Sequence, residues 1–256
     1  MAPVNRPSGH PSPRSRTSPA LRIASLALVS LLAVAACTGT GGSSTLPPIP
    51  STTPESSKGP GATEPAPTVD ISDCPTSQPP ELPAGETRTV TLDTELGAIV
   101  IKIEGALSPI AAGNFVALAE CGWYDNVVFH RLVPGFVIQG GDGQYGRVPN
   151  VDPMQVGTGG PPYTIKDEPV TAQYGRATVA MARTSAPDSV GSQFFIVLDD
   201  AAREALAAYN TYQIIGTVTE GMDVVDQIAA MPNSGPETGN QALDPVPMET
   251  VTVSNP

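Results

Sequence analysis

The sequence predicts a mainly β fold, a closed antiparallel barrel with helices over its ends, set behind a front third that builds no core. Three observations carry this. Between residues 89 and 253, many short β-rich runs alternate with turn residues, and only three segments have helical spacing. Every aromatic residue (five Phe, six Tyr, one Trp) falls between Phe115 and Tyr212. Sixteen of the 29 prolines precede Arg88. An aromatic-free, proline-dense stretch cannot bury enough apolar area to offset its chain entropy. The remaining ~170 residues suit one hydrophobic core, and short strands with few helices suit a barrel.

The elements follow in order. Runs at 89–94 and 98–104 flank Glu95-Leu96-Gly97, which reads as a hairpin. Ser108-Pro109 opens a helix, with serine as N-cap and proline in the first turn, where its missing N–H costs nothing. Phe115, Leu118 and Ala119 share one face of that helix, and Gly122 supplies the stop. Strands are expected at 127–133, 136–139, 178–182, 194–198 and 213–218. Helices fit 201–208 and 222–231, and 248–253 reads as a closing strand.

The front end reads as an address. Arg14, Arg16 and Arg22 precede an apolar run from Ile23 to Ala35, followed by Ala36 and Cys37. A basic segment, an apolar run of roughly 13 residues and small residues before the cut describe a secretory signal over 1–36, too short to span ~30 Å of hydrocarbon comfortably. Val34-Ala35-Ala36-Cys37 resembles the bacterial lipobox, whose cysteine is lipidated and becomes the new N-terminus. The alternative is an ordinary signal with an incidental cysteine. Residues 37–86, rich in Pro, Gly, Ser and Thr, show no helical or strand period and read as a flexible linker. As a coil of ~50 residues it would span roughly 40 Å, tethering the 87–256 domain near the extracytoplasmic face of the membrane. Export makes disulfides permissible. With Cys37 lipidated, Cys74 and Cys121 are left as an even pair. Joined, they would close a loop of about 47 residues, contribute ~4 kcal/mol and pin the end of the tether to the domain. The alternative is two unpaired thiols, with Cys121 a small buried hydrophobe at a helix end.

Composition closes several classes. His10 and His130 are the only histidines, so a His-rich metal site is excluded and a Ser-His-Asp or Cys-His site would rest on His130 alone. The net charge is −12, and from Cys37 onward nine basic residues stand against 25 acidic ones, a balance of −16. Such a surface repels phosphate backbones, so no nucleic-acid partner is expected.

Three segments carry chemistry: Phe129-His-Arg-Leu-Val-Pro-Gly-Phe-Val-Ile-Gln-Gly-Gly-Asp142, Ala180-Met-Ala-Arg-Thr-Ser-Ala-Pro-Asp-Ser-Val-Gly-Ser-Gln-Phe-Phe-Ile196, and Ile215-Gly-Thr-Val-Thr-Glu-Gly-Met-Asp-Val-Val-Asp226. Together, in order and at family-like spacing from about Thr89 to Val253, they resemble the cyclophilin family of peptidyl-prolyl cis-trans isomerases, most closely its secreted bacterial members. Asn114-Phe115, the run Gly122-Trp-Tyr-Asp-Asn-Val-Val-Phe-His-Arg131, and Gly157-Thr-Gly-Gly160 ahead of Tyr163-Thr-Ile extend the match. The resemblance implies an eight-stranded cyclophilin-like barrel and a rotamase needing neither metal nor cofactor.

The resemblance also implies roles. Arg131 is the key cation, donating toward the prolyl nitrogen whose lone pair localises as amide resonance is lost. Gln139 and Gln193 bond the substrate backbone or hold Arg131. Phe136 and Phe195 resemble the proline-pocket rings, and Val137 takes a place usually held by methionine. Strand alternation turns Ile138 into the barrel. The backbone at Ala182 and Arg183 pairs with the residue before proline, and Tyr212 stands where many relatives have a pocket histidine. His130 lies on the opposite face from Arg131 and is expected to be structural. Phe129 and Phe194 are expected in the core, and Gly140-Gly141-Asp142 is expected to form a turn without a chemical role.

Two departures stand out. Where many relatives have tryptophan then leucine, this chain has Leu206-Ala207-Ala208-Tyr209, so the sequence assures no aromatic wall there. The segment 183–189 is one residue longer than the family pattern. The expected function is isomerisation of prolyl bonds in unfolded or newly secreted polypeptides by a lipid-anchored monomer. The alternative is a non-catalytic module on the same scaffold that binds proline-containing segments.

Overall fold

The computed structural model describes residues 69–255. The signal, Cys37 and the linker up to residue 68 lie outside the described residues. A hairpin opens the domain: β1 (Thr87–Thr94) pairs antiparallel with β2 (Gly97–Glu104), and Thr94 faces Gly97 across the turn. Then follow α1 (Pro109–Glu120), β3 (Val127–Val133), β4 (Val137–Gly140), β5 (Thr178–Met181), β6 (Phe194–Val197), α2 (Ala202–Tyr209), β7 (Ile214–Glu220), α3 (Met222–Ala229), β8 (Pro247–Met248) and β9 (Thr250–Ser254).

The strands form an antiparallel sheet in the order β8-β3-β4-β6-β5-β7-β2-β1-β9. Its two ends are the same stretch of chain. Met248 pairs with Val127 of β3, and two residues later Thr250 begins pairing with β1, while Glu249 N–H donates to the Asp93 carbonyl at 2.8 Å. The stretch expected as one closing strand is therefore broken at Glu249, which gives nine strands around a nearly closed barrel.

Alternation along the strands divides the core in two. Leu92, Ile101, Phe129, Ile138, Phe194 and Ile196 belong to one fully buried cluster that also takes the faces of α1 and α3. Phe194 stands edge-on to Phe115 at 5.2 Å and to Tyr124 at 5.7 Å. The alternate residues Val137, Ala180, Phe195 and Val197 build a second cluster on the other face, covered by Ala202 and Leu206 of α2.

The start of α1 departs from the local expectation. Pro109 does occupy the first turn, but among the described residues Ser108 makes no capping bond and its hydroxyl has no partner. The carboxylate of Glu168 accepts the N–H groups of Ile110 and Ala111 instead, each at 2.9 Å. A carboxylate takes two donors at once and places full negative charge at the positive end of the helix dipole, which a serine hydroxyl cannot do. At the other end Gly122, at φ +77°, closes the helix onto the Ala119 carbonyl.

Residues 69–86 lie along the domain as a strap. Cys74 is disulfide-bonded to Cys121 at the end of α1. Leu82 is buried, and its N–H donates to the Pro109 carbonyl at 2.9 Å. The strap crosses so close to α1 that a Cβ on Gly113 would run into the Pro80 carbonyl.

Candidate active site

One row of residues crosses four strands on the outer face of the sheet. Arg131 of β3 is registered opposite Gln139 of β4, Gln139 opposite Phe195 of β6, and Phe195 opposite Ala180 of β5. Directly opposed residues share a face with Cβ atoms about 5 Å apart, so the ladder alone brings a cation, an amide and an aromatic ring together. The turn between β3 and β4 adds another ring. Val133-Pro134-Gly135-Phe136 closes with Phe136 N–H donating to the Val133 carbonyl at 3.0 Å, and Gly135 at φ +68°. Proline at the second position and a left-handed glycine at the third make a type II turn.

Arg131, Phe136, Val137, Gln139, Ala182, Arg183, Phe195 and Tyr212 line one pocket of about 320 Å³, together with Ala205, Leu206 and Tyr209 of α2. Val137 faces this pocket while Ile138 is wholly inside the barrel. The Tyr212 ring meets Phe195 edge-on at 5.3 Å. Leu206 and Tyr209, three apart on α2, turn to the same side. An aromatic wall is therefore present: Tyr209 lies 6.5 Å from Tyr212, ring to ring, and 71% of it is exposed. A neighbouring depression of about 420 Å³ begins at Gln139, Ala182 and Arg183 and runs to Gln193 and Gly157.

The polar side of the pocket is a chain of hydrogen bonds. Arg131 Nη1 donates to Gln139 Oε1 at 3.2 Å, Gln139 Nε2 donates to Gln193 Oε1 at 3.0 Å, and Gln193 Nε2 donates to the Gly159 carbonyl at 2.9 Å. Half-burial lowers the pKa of Arg131 from its ordinary value, against an opposing attraction from Tyr212. An arginine so placed still carries its charge at neutral pH. Ala182 N–H donates to the Gln193 carbonyl at 2.8 Å, which leaves the Ala182 carbonyl as the group that can meet a peptide N–H. The Arg183 side chain turns to the surrounding loops: it pairs with Asp167 of the loop before β5 at 2.9 Å and donates to the Ala186 carbonyl of its own loop at 2.7 Å.

A family model described as cyclophilin type peptidyl-prolyl cis-trans isomerase matches residues 89–253. The chain belongs to the cyclophilin family. It is a peptidyl-prolyl cis-trans isomerase acting on proline-containing polypeptides. This cyclophilin is 41% identical over 147 residues to a peptidyl-prolyl cis-trans isomerase of Acinetobacter baylyi, covering 57% of the chain and 73% of that protein. It is 37% identical over 177 residues to peptidyl-prolyl cis-trans isomerase B of Escherichia coli, covering 64% of the chain and 99% of that protein. Among solved structures, a Cryptosporidium parvum cyclophilin type isomerase matches with a TM-score of 0.54 at 26% identity, over 66% of this chain and 99% of that one. The same isomerase was also solved in the presence of the dipeptide Ala-Pro, and that structure matches with a TM-score of 0.53 at 25% identity.

Three supports of the cyclophilin site carry little local signal. Asp142 is more than a turn residue. Fully buried, it accepts the N–H groups of Gln144, Tyr145, Gly157 and Gly159 at 2.7–3.1 Å, and so fixes the loop that offers the Gly159 carbonyl to Gln193. Gly157-Thr-Gly-Gly160, which extends the family resemblance, is the run it holds. Tyr174, whose phenol is pushed up to about 12 by burial, donates to the Tyr212 carbonyl at 2.9 Å and accepts the Tyr212 N–H at 3.2 Å. It thereby sets the pocket tyrosine from behind. The third support is the carbonyl of Gly239, which accepts from Arg131 Nε at 3.2 Å.

Proposed function

We propose that this cyclophilin is exported, anchored through a lipid on Cys37 at the extracytoplasmic face of the membrane, and isomerises prolyl bonds in unfolded or newly secreted proteins with Arg131 as its catalytic cation. Rotation about a prolyl bond costs ~18–20 kcal/mol because it breaks amide resonance. It needs no nucleophile, metal or proton relay. It needs a slot that desolvates the ring, partners that hold the flanking backbone, and a charge that favours the pyramidal nitrogen.

One observation carries the assignment. The Arg131 guanidinium borders the apolar pocket with Nε and Nη1 tied to protein acceptors, while Nη2 makes no hydrogen bond among the described residues. Phe136, Val137, Phe195 and Tyr212 take the proline ring. Nη2 donates to the nitrogen lone pair, which exists only once resonance is lost, so the interaction is stronger in the transition state than in the ground state. A charge-assisted bond in a desolvated pocket contributes toward the ~7 kcal/mol that a 10⁵-fold acceleration requires. The Ala182 carbonyl and Gln193 hold the residue before proline. That a related structure was solved in the presence of Ala-Pro supports this ligand class.

Arg131→Ala should lower turnover in a protease-coupled assay on an X–Pro peptide by orders of magnitude while the far-UV spectrum and melting temperature stay put. Unchanged turnover would remove the mechanism. Export is supported by the signal-like 1–36 segment, the lipobox-like cysteine and a disulfide, a bond that persists outside reducing compartments. Expressed as the full chain in a bacterium that processes lipoproteins, the protein should begin at a lipid-bearing Cys37 and enter the detergent phase, and Cys37→Ser should not. An unmodified N-terminus on the wild-type chain would overturn the anchor.

A further inference from the structure

Arg131 is held from two sides, and only one of them is the sheet. Residues 232–242, which follow α3, run along the open edge of β3. Arg131 and Gln241 form an antiparallel bridge, Leu132 N–H donates to the Asn240 carbonyl at 2.9 Å, and Ala242 N–H donates to the His130 carbonyl at 2.9 Å. Three residues here have positive φ: Gly235 (+82°), Gly239 (+81°) and Asn240 (+58°). The segment braces itself. Asn240 N–H donates to the Gly235 carbonyl at 2.8 Å, Thr238 Oγ1 to the Ser234 carbonyl at 2.7 Å, and Gln241 N–H to Ser234 Oγ at 2.9 Å. Gln241 Nε2 ties it to the Pro153 carbonyl at 2.9 Å. What this rigid turn presents to the pocket is the Gly239 carbonyl, on Arg131 Nε.

The geometry points to Gly239 as a positioning residue for the isomerase reaction. Its carbonyl, fixed by the 232–242 turn, sets the plane of the Arg131 guanidinium. A guanidinium is flat, so an acceptor on one nitrogen still lets the group swing about that bond, whereas acceptors on both Nε and Nη1 define its plane. With Gln139 on Nη1 and Gly239 on Nε, Nη2 has a single direction left to offer the substrate. None of the turn's residues lines the apolar pocket, so the turn acts on turnover rather than on binding.

The inference rests on Arg131 being the catalytic cation, and the test separates the two. Nothing lies within 4 Å of where a Gly239 Cβ would sit, so Gly239→Val acts by expelling the backbone from φ +81°, not by a clash. In the full chain, Gly239→Val should lower kcat about tenfold, the scale of a small misplacement, with KM within about twofold. In the Arg131→Ala background the same substitution should change kcat less than about twofold, since coupled residues are not additive. Glu237→Ala, in the same turn, should leave activity as it was. In the native protein the Arg131 Nε–H signal, identified by its loss in Arg131→Ala, should exchange with water more slowly than that of an exposed arginine. Exchange at the exposed rate, or an equal loss from Gly239→Val in both backgrounds, would overturn the proposal. The native exchange measurement decides even if Gly239→Val does not fold. If Arg131→Ala keeps full turnover, it is the catalytic assignment that fails.

Discussion

Gln139 accepts from Arg131 Nη1 at 3.2 Å with one end of its amide and donates to Gln193 Oε1 at 3.0 Å with the other. An amide is the side chain that can do both without adding a charge, and it stands directly across the ladder from Arg131. Gln139 is thus both pocket lining and the support of the cation.

Truncating it should cost more than truncating the residue behind it. Gln139→Ala is expected to lower kcat/KM by about 10- to 100-fold, and Gln193→Ala by less, because misplacing one catalytic group by about an ångström is enough for losses of this size. The double variant should lose little beyond Gln139→Ala alone, since Gln193 reaches Arg131 through Gln139. Fully multiplicative losses in the protease-coupled assay would show that the two act separately.

His130, next to Arg131 on β3 but on the buried side, should make stability depend on pH. Its pKa is lowered from 6.5 to about 4, chiefly by burial, with Asp142 pulling it up and Arg131 pushing it down. Neither ring nitrogen has a hydrogen-bond partner among the described residues. Below pH 6.5 the unfolded chain takes up a proton that the folded chain refuses, so stability is full above that pH and falls as pH drops toward 4. The loss approaches about 3 kcal/mol. Urea unfolding at pH 7, 6 and 5 should show the decline in the wild type and a flatter profile in His130→Leu. Identical slopes would exclude His130 as the source.

What could be read from the residues alone was whatever depends on near neighbours. Alternation turns Ile138 into the barrel and so leaves Val137 and Gln139 on the other face, and the strands expected at 127–133 and 136–139 leave Pro134-Gly135 between them. Two of the differences have one cause, partners far along the chain. Ser108 satisfies the local rule for a cap, yet Glu168, 58 residues from Ile110, holds the helix start. Asp142 looks like a turn residue until Gly157 and Gly159 fold back on it. At Leu206-Ala207-Ala208-Tyr209 the sequence assures no aromatic wall, and it is the helix face shared by Leu206 and Tyr209 that brings a ring to the pocket. The carbonyl of Gly239 has no side-chain signal at all.

The Cys74–Cys121 bridge closes a separation of 47 residues. Replacing both with serine should destabilise the domain by about 4 kcal/mol through the restored freedom of the unfolded chain. Neither cysteine lines the pocket, so turnover per folded molecule should hold. A denaturation midpoint equal to that of the wild type, once the wild type is shown to be oxidised, would contradict this.

Gly113 offers a test of the strap in which the usual sign reverses. Within a helix such as α1, glycine to alanine ordinarily stabilises by about 0.5–1 kcal/mol, because glycine has more backbone freedom to lose. Here the added methyl would meet backbone, the carbonyl of Pro80 and the N–H side of Leu82, neither of which can turn aside as a long side chain could. The strap must lift, and with it Leu82 and its bond to the Pro109 carbonyl. Gly113→Ala should therefore destabilise by about 1–3 kcal/mol, the range of overpacking in a tight interior. It should also raise hydrogen exchange at Leu82 well before that of the barrel strands. A stabilising effect would mean that 74–86 is not held against α1 in solution.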